Sequence, residues 1–105
     1  VDEVTVIEEL RARRYLLAQP GVWVQGPPSW DQAGCACLVS YRPLHGKYTS
    51  LSTQAWQALN TVLEDMGVLR EIGIGPGMWN DAPGRTLDEV LDLLDRTIAR
   101  LEATA

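Results

Sequence analysis

Few residues in this chain have the types and spacing to do chemistry. Cys35 and Cys37 flank a single residue, and His45 is the one histidine. A structural zinc site uses four ligands, commonly with cysteines in Cys-x2-Cys spacing. Three soft ligands in a different spacing fall short of that, and a disulfide between Cys35 and Cys37 would be strained. The cysteines therefore read as small buried hydrophobes, and neither a metal nor a cofactor is expected. Nucleophilic catalysis would have to use His45 as its base. The chain has no Gly-x-Ser-x-Gly turn, and His45 sits in the loop Pro43-Leu44-His45-Gly46-Lys47, so it reads as solvated and no catalytic residue is assigned.

Carboxylates are more numerous. Asp88, Asp92 and Asp95 recur on the polar side of an amphipathic pattern, the usual solvated face. Asp81 stands two residues after Trp79, and an indole against a carboxyl raises its pKa by desolvation. Trp79, Asn80, Asp81 and Arg85 thus form a candidate ligand-binding group, with Trp23 and Gln25 as further lining. The competing reading makes each a local structural residue. Asn80 would close an Asx-turn on the amide of Ala82, Asp81 would reach Gly84 or Arg85, and Trp79 would lay its ring over the core. Gly73 to Gly77, "GIGPG", matches neither phosphate-binding glycine pattern and reads as a connection. Arg11, Arg13 and Arg14 cluster near the start. Arg13 and Arg14 are candidate partner contacts, against the alternative of pairing to the acidic last helix.

Composition narrows the choice of partner. The chain has 105 residues, 14 acidic against 9 basic, for a formal net charge of −5. That sign disfavours nucleic acid and suits a basic target. No run of about 18 apolar residues could span a membrane. The start "VDEVTVIEEL" lacks the pattern of an export signal, so the cytoplasm is expected.

Three helices are predicted to position these residues. Thr5 with Glu8 fits a capping box, after which Val6, Ile7, Leu10 and Leu17 share a face flanked by Arg13 and Arg14. Gln19-Pro20-Gly21 ends this helix. From about Ser50, Leu51, Ala55, Leu59, Val62, Leu63 and Met66 line a second, with Trp56 at its edge and Gly67 as its left-handed terminator. Ala82-Pro83-Gly84-Arg85 reads as a type II turn. Thr86 and Glu89 then form a second capping box for a helix whose Leu87, Val90, Leu91, Leu94, Ile98 and Leu101 make one stripe. Leu93 lies off that stripe. Between the first two helices, "VWVQG" is short and alternating, "GPPSWDQAG" is loop, and "CACLVSY" suits either a strand or one buried helical turn. The fold class expected is all-α or mainly α: one domain over 1–105, a small bundle of three to four helices with long irregular loops and room for one short hairpin.

The stretch "WNDAPGRTLDEVLDLLDRTIARL" resembles the C-terminal signature of a family of small uncharacterised proteins of actinobacteria and their phages, a domain of unknown function. Members of that family carry an N-terminal helix, a tryptophan-glutamine-glycine piece, here Trp23-Val24-Gln25-Gly26, and a cysteine-containing segment, here Cys35-Ala36-Cys37. Many have cysteine where this chain has Val24, which weakens a shared metal or redox role. The resemblance implies a family and no activity.

With catalytic groups sparse and tryptophans in loops, the leading expectation is a protein–protein interaction module. It would bind a protein partner, a host protein if the phage resemblance extends to biology, through Trp30 in the loop "QGPPSWDQ", with Arg13 and Arg14. A homodimer through residues 87–101 is a subsidiary expectation, because the leucine spacing alternates four and three. The rival is an enzyme or small-molecule binder with its pocket at Trp79, Asn80, Asp81 and Arg85.

Overall fold

The computed structural model describes residues 2–68 and 75–104. Among them the chain forms α1 (Glu3–Leu17), β1 (Ser40–Tyr41), β2 (Thr49–Ser50), α2 (Thr53–Asp65), α3 (Pro76–Asp81) and α4 (Leu87–Thr104). The mainly helical class expected from the sequence is the one that forms, with a small antiparallel hairpin as its β component. Of the glycine-rich connection read at Gly73–Gly77, residues 73 and 74 lie outside the described residues, Gly75 caps α3, and Pro76 and Gly77 are its first turn rather than part of a connection.

The first helix starts earlier than its sequence suggested. Asp2, not Thr5, is the N-cap: its Oδ1 accepts from the amide and the hydroxyl of Thr5, each at 2.9 Å. An aspartate caps a helix at least as well as a threonine, so the earlier residue takes the role and Thr5 becomes its partner. Thr5 therefore forms no box with Glu8. Along α1, Val6, Ile7, Leu10 and Leu17 are buried as expected.

The second helix is capped from within and from its neighbour. Ser52 Oγ accepts from the amide of Ala55, while the Ser52 amide and hydroxyl donate to the two carboxylate oxygens of Glu9 on α1. At the far end Gly67, at φ +76°, lets the Gly67 amide reach Glu64 O and the Val68 amide reach Leu63 O. This is the Schellman pairing that satisfies the last carbonyls of a helix.

α4 begins as its sequence indicates. The Thr86 amide donates to Glu89 Oε1 at 2.9 Å and the Glu89 amide returns a bond to Thr86 Oγ1 at 3.2 Å. Its buried face is rotated from the expected stripe, however. Leu93 and Thr97 are buried along with Val90, Leu94 and Ile98, whereas Leu87, Leu91 and Leu101 are half-buried. The reason is that α4 packs on both α1 and α2 and needs a wider apolar face than one neighbour demands. Thr97 fits there because its hydroxyl donates to Leu93 O.

Ion pairs cross the helix faces: Arg11–Glu102 and Arg14–Asp95 join α1 to α4, and Arg100–Asp65 joins α4 to α2. All are about half exposed, so each contributes about 0–1 kcal/mol and serves register more than stability. No helix among the described residues is long and apolar enough to cross a membrane.

"CACLVSY" is the β component. Ala36 bridges Trp23 on one side and Tyr41 on the other, and Tyr41 pairs with Thr49 in turn. The segment turns at Leu38–Val39, where the Cys37 amide donates to Ser40 O. Of the two forms its sequence allowed, it takes the extended one.

Candidate functional site

The turn at Leu38–Val39 creates the main polar problem of the core. Cys37 and Leu38 are buried in it, and a turn carries peptide groups that no ladder satisfies. Such groups must find other partners or destabilise the fold. Arg13 of α1 supplies two bonds, from one guanidinium nitrogen to Cys37 O at 3.0 Å and to Leu38 O at 3.2 Å. Asn80 of α3 supplies another, its Oδ1 accepting from the Leu38 amide at 3.3 Å. Leu51 donates its amide to Val39 O.

Arg13 was read from the sequence as a flanking surface residue and a partner contact. The structure corrects this: only 8% of it is exposed. Its position three residues after Leu10 and four before Leu17 aims it at the turn. Burial pushes its guanidinium below the ordinary arginine value, and the charge of Glu9 is among the effects opposing that shift. Arg14, its companion in that reading, is half-buried and engaged with Asp95 at 2.7 Å.

Asn80 is the hub of a second layer. It is fully buried, and its four amide positions are filled. Besides Leu38, its Oδ1 accepts from the Trp23 indole N–H at 2.7 Å, while Nδ2 donates to Val24 O and to Asp81 Oδ1. Gln25 Nε2 donates to Asn80 O and Ala82 O, and the Gly26 amide donates to Asp81 Oδ1 at 2.6 Å. The Trp23-to-Gly26 piece and the Trp79-Asn80-Asp81 piece, more than fifty residues apart in the chain, are therefore one hydrogen-bonded unit. α3 presents it because Pro76 opens that helix with a preset φ. After Asp81, the Arg85 amide closes the expected turn on Ala82 O, with Gly84 at φ +82°.

The residues proposed as a ligand pocket are thus brought together, but as a lock. Trp79 is 5% exposed and lies under the Arg85 guanidinium, 4.0 Å from its ring centroid. Arg85 also donates to Trp79 O and pairs with Glu89. Asn80 does not close an Asx-turn on Ala82, whose amide bonds Trp79 O instead. Asp81 reaches neither Gly84 nor Arg85 and holds Gly26. Sequence reasoning placed Trp23 and Gln25 near this group but had no signal for their bonds.

The remaining candidates lie apart. Cys35 is half-buried, Cys37 is buried, and both are free thiols. His45 is exposed on its loop. Among the described residues no three His, Cys, Asp or Glu side chains gather as a metal site. A shallow cleft of about 260 Å³, lined by Val4, Ile7, Glu8, Arg11 and Glu102, lies between the start of α1 and the end of α4. Trp30 is 84% exposed. Its loop is nonetheless held: the Ser29 amide donates to Gln32 Oε1, the Gln32 amide returns to Ser29 O, and Arg42 Nε donates to Pro28 O.

The chain is a small mainly α domain in which a buried arginine and a buried asparagine hold an extended turn inside a helical core. The model of a family of unknown function (DUF6197) matches residues 1–100, and the chain belongs to that family. No curated protein and no solved structure matches it.

Proposed function

We propose that this chain is a protein-interaction module that binds a protein partner through the loop carrying Trp30. One observation carries the reading: the most exposed large hydrophobic side chain of the described residues sits on a backbone that is fixed at both ends. An indole in water is an anchor of the kind that dominates interfaces, and a loop already ordered loses little entropy on binding. The lock at Asn80 supports this division of labour, since its polar groups are committed to the fold. A cytoplasmic location, an actinobacterial or phage setting and a host protein as partner belong to the same proposal. Affinity capture from host lysate with wild-type and Trp30→Ala protein tests it. A stoichiometric partner lost with the substitution is the expected result. A partner retained by Trp30→Ala, or unfolding of that variant, would refute it.

A further inference from the structure

Resting on that reading, the chemistry of the surroundings of Trp30 identifies the class of its partner. The loops 26–34 and 42–48 form one surface. Arg42 donates to Pro28 O across them, and the Gly34 amide donates to Arg42 O at 2.6 Å. Leu44 lies against Gly34, where an added Cβ would stand 3.4 Å from its Cδ2. The Arg42 guanidinium sits 5.0 Å from the Tyr48 ring centroid. Trp30, Leu44 and Tyr48 are all exposed, so these joined loops carry three large apolar groups.

Its charge departs from that of the molecule, because on loops 26–34 and 42–48 Arg42 and Lys47 outnumber the single acid Asp31. The sequence has no aspartate or glutamate between Asp31 and Glu64, an interval that contains Arg42, His45 and Lys47. Arg11, Arg14, Arg85, Arg96 and Arg100 each pair with a carboxylate, and Arg13 is occupied by carbonyls. Arg42 and Lys47 have no carboxylate at ion-pair distance among the described residues. Asp31 is the one acid on these loops, and its carboxylate accepts the Ser29 hydroxyl. Asp81 stands at the edge of the first loop, bonded to Gly26 and Asn80.

We infer that the Trp30 surface docks an acidic segment of a partner protein, one that carries large apolar side chains beside its carboxylates. The net charge of −5 would by itself suggest a basic target, but the contact is governed by the local field within about a Debye length, roughly 8–10 Å. A nucleic-acid strand also offers negative charge and stacking. As a long polyanion, however, it must pass the acidic remainder of the molecule, where a short peptide segment need not.

The test is selection of random displayed peptides on the immobilised wild-type protein, with each enriched peptide then titrated against variants. Enriched sequences should be acidic with apolar residues. Their affinity should fall about tenfold or more in Trp30→Ala, and should fall in Lys47→Glu by an amount that shrinks as salt rises. Trp30-dependent peptides that are neutral or basic would overturn the inference while leaving the interaction module intact. No Trp30-dependent peptide at all would overturn both. Tighter binding of a thymidine oligonucleotide than of any peptide, or a dimer in sedimentation that Trp30→Ala dissolves, would replace the acidic peptide with those occupants. Far-UV circular dichroism of each variant verifies that it is folded.

Discussion

Replacing Asn80 by alanine should cost more than any surface change in this molecule. The substitution orphans the Leu38 amide inside the buried turn, at about 1–3 kcal/mol for an unsatisfied buried donor. It also removes the acceptor of the Trp23 indole and the donor to Val24 O. Both of those are partly exposed, so water can replace the lost partner at a net loss of about 1 kcal/mol each. The total is about 3–5 kcal/mol, a large share of the 5–15 kcal/mol typical of a domain. Urea unfolding followed by tryptophan fluorescence should show a midpoint lower by about 2 M, given slopes of about 1–3 kcal/mol/M. Asn80→Asp separates the donor from the acceptor. It keeps the bonds from Trp23 and Leu38 but points a carboxylate oxygen at Val24 O and at the Asp81 carboxylate. Folding therefore favours the protonated form of the new group, and its cost should grow as pH rises above about 3.9, the ordinary aspartate value. A loss below about 1 kcal/mol in Asn80→Ala would refute the reasoning, because Asn80 would then be free to serve a ligand.

Further outcomes follow from the same geometry. Arg13→Ala removes a charged donor from two buried carbonyls and should lower stability by about 2–4 kcal/mol, whereas Arg14→Ala should cost about 0–1 kcal/mol; thermal melts of the pair distinguish a buried anchor from a surface ion pair. Trp30→Ala should unfold within about 0.5 kcal/mol of wild type by urea titration. The Glu89 carboxyl is held below its ordinary value of 4.5, first by the amide and then by the hydroxyl of Thr86. Because the folded value is depressed, its stabilisation is complete above the unfolded value and is lost as pH falls through the folded one. Glu89→Gln should therefore be less stable than wild type near pH 7 and converge with it in acid, read as urea midpoints across pH.

What the sequence made legible was local. The Thr86–Glu89 box, the Ala82-to-Arg85 turn and the Gly67 terminator each depend on residues within five positions of one another, and each forms as read. The first helix start was misplaced because Asp2 and Thr5 are both acceptable caps, and position alone favours neither. What escaped was every group whose role comes from a distant partner. Nothing near Arg13 in the chain announces a buried turn twenty-four residues away, and a helical projection places it at a stripe's edge, where either fate is possible. Leu93 left the expected stripe because one period describes one neighbour, and α4 has two. For Asn80 and Asp81 the sequence offers a ligand-binding group or local turns, which short polar side chains do favour, but longer-range partners hold their atoms instead. The exposure of Trp30 was correctly suspected from the loop composition around it, while the acid-free interval that sets its surroundings was present in the sequence and needed the fold to bring loops 26–34 and 42–48 together.

Hydrogen exchange of the indole N–H groups in the wild-type protein tests the division between lock and surface most directly, since the two indoles at issue, Trp23 and Trp30, report on one domain under one condition. The Trp23 indole, donating to buried Asn80 at 2.7 Å, should exchange far more slowly than free tryptophan because that bond must first open, and the Trp30 indole, on a side chain 84% exposed, should exchange at the rate of free tryptophan. Rapid exchange at Trp23 would contradict the account, because the Asn80 unit would then be open and available to something other than the fold.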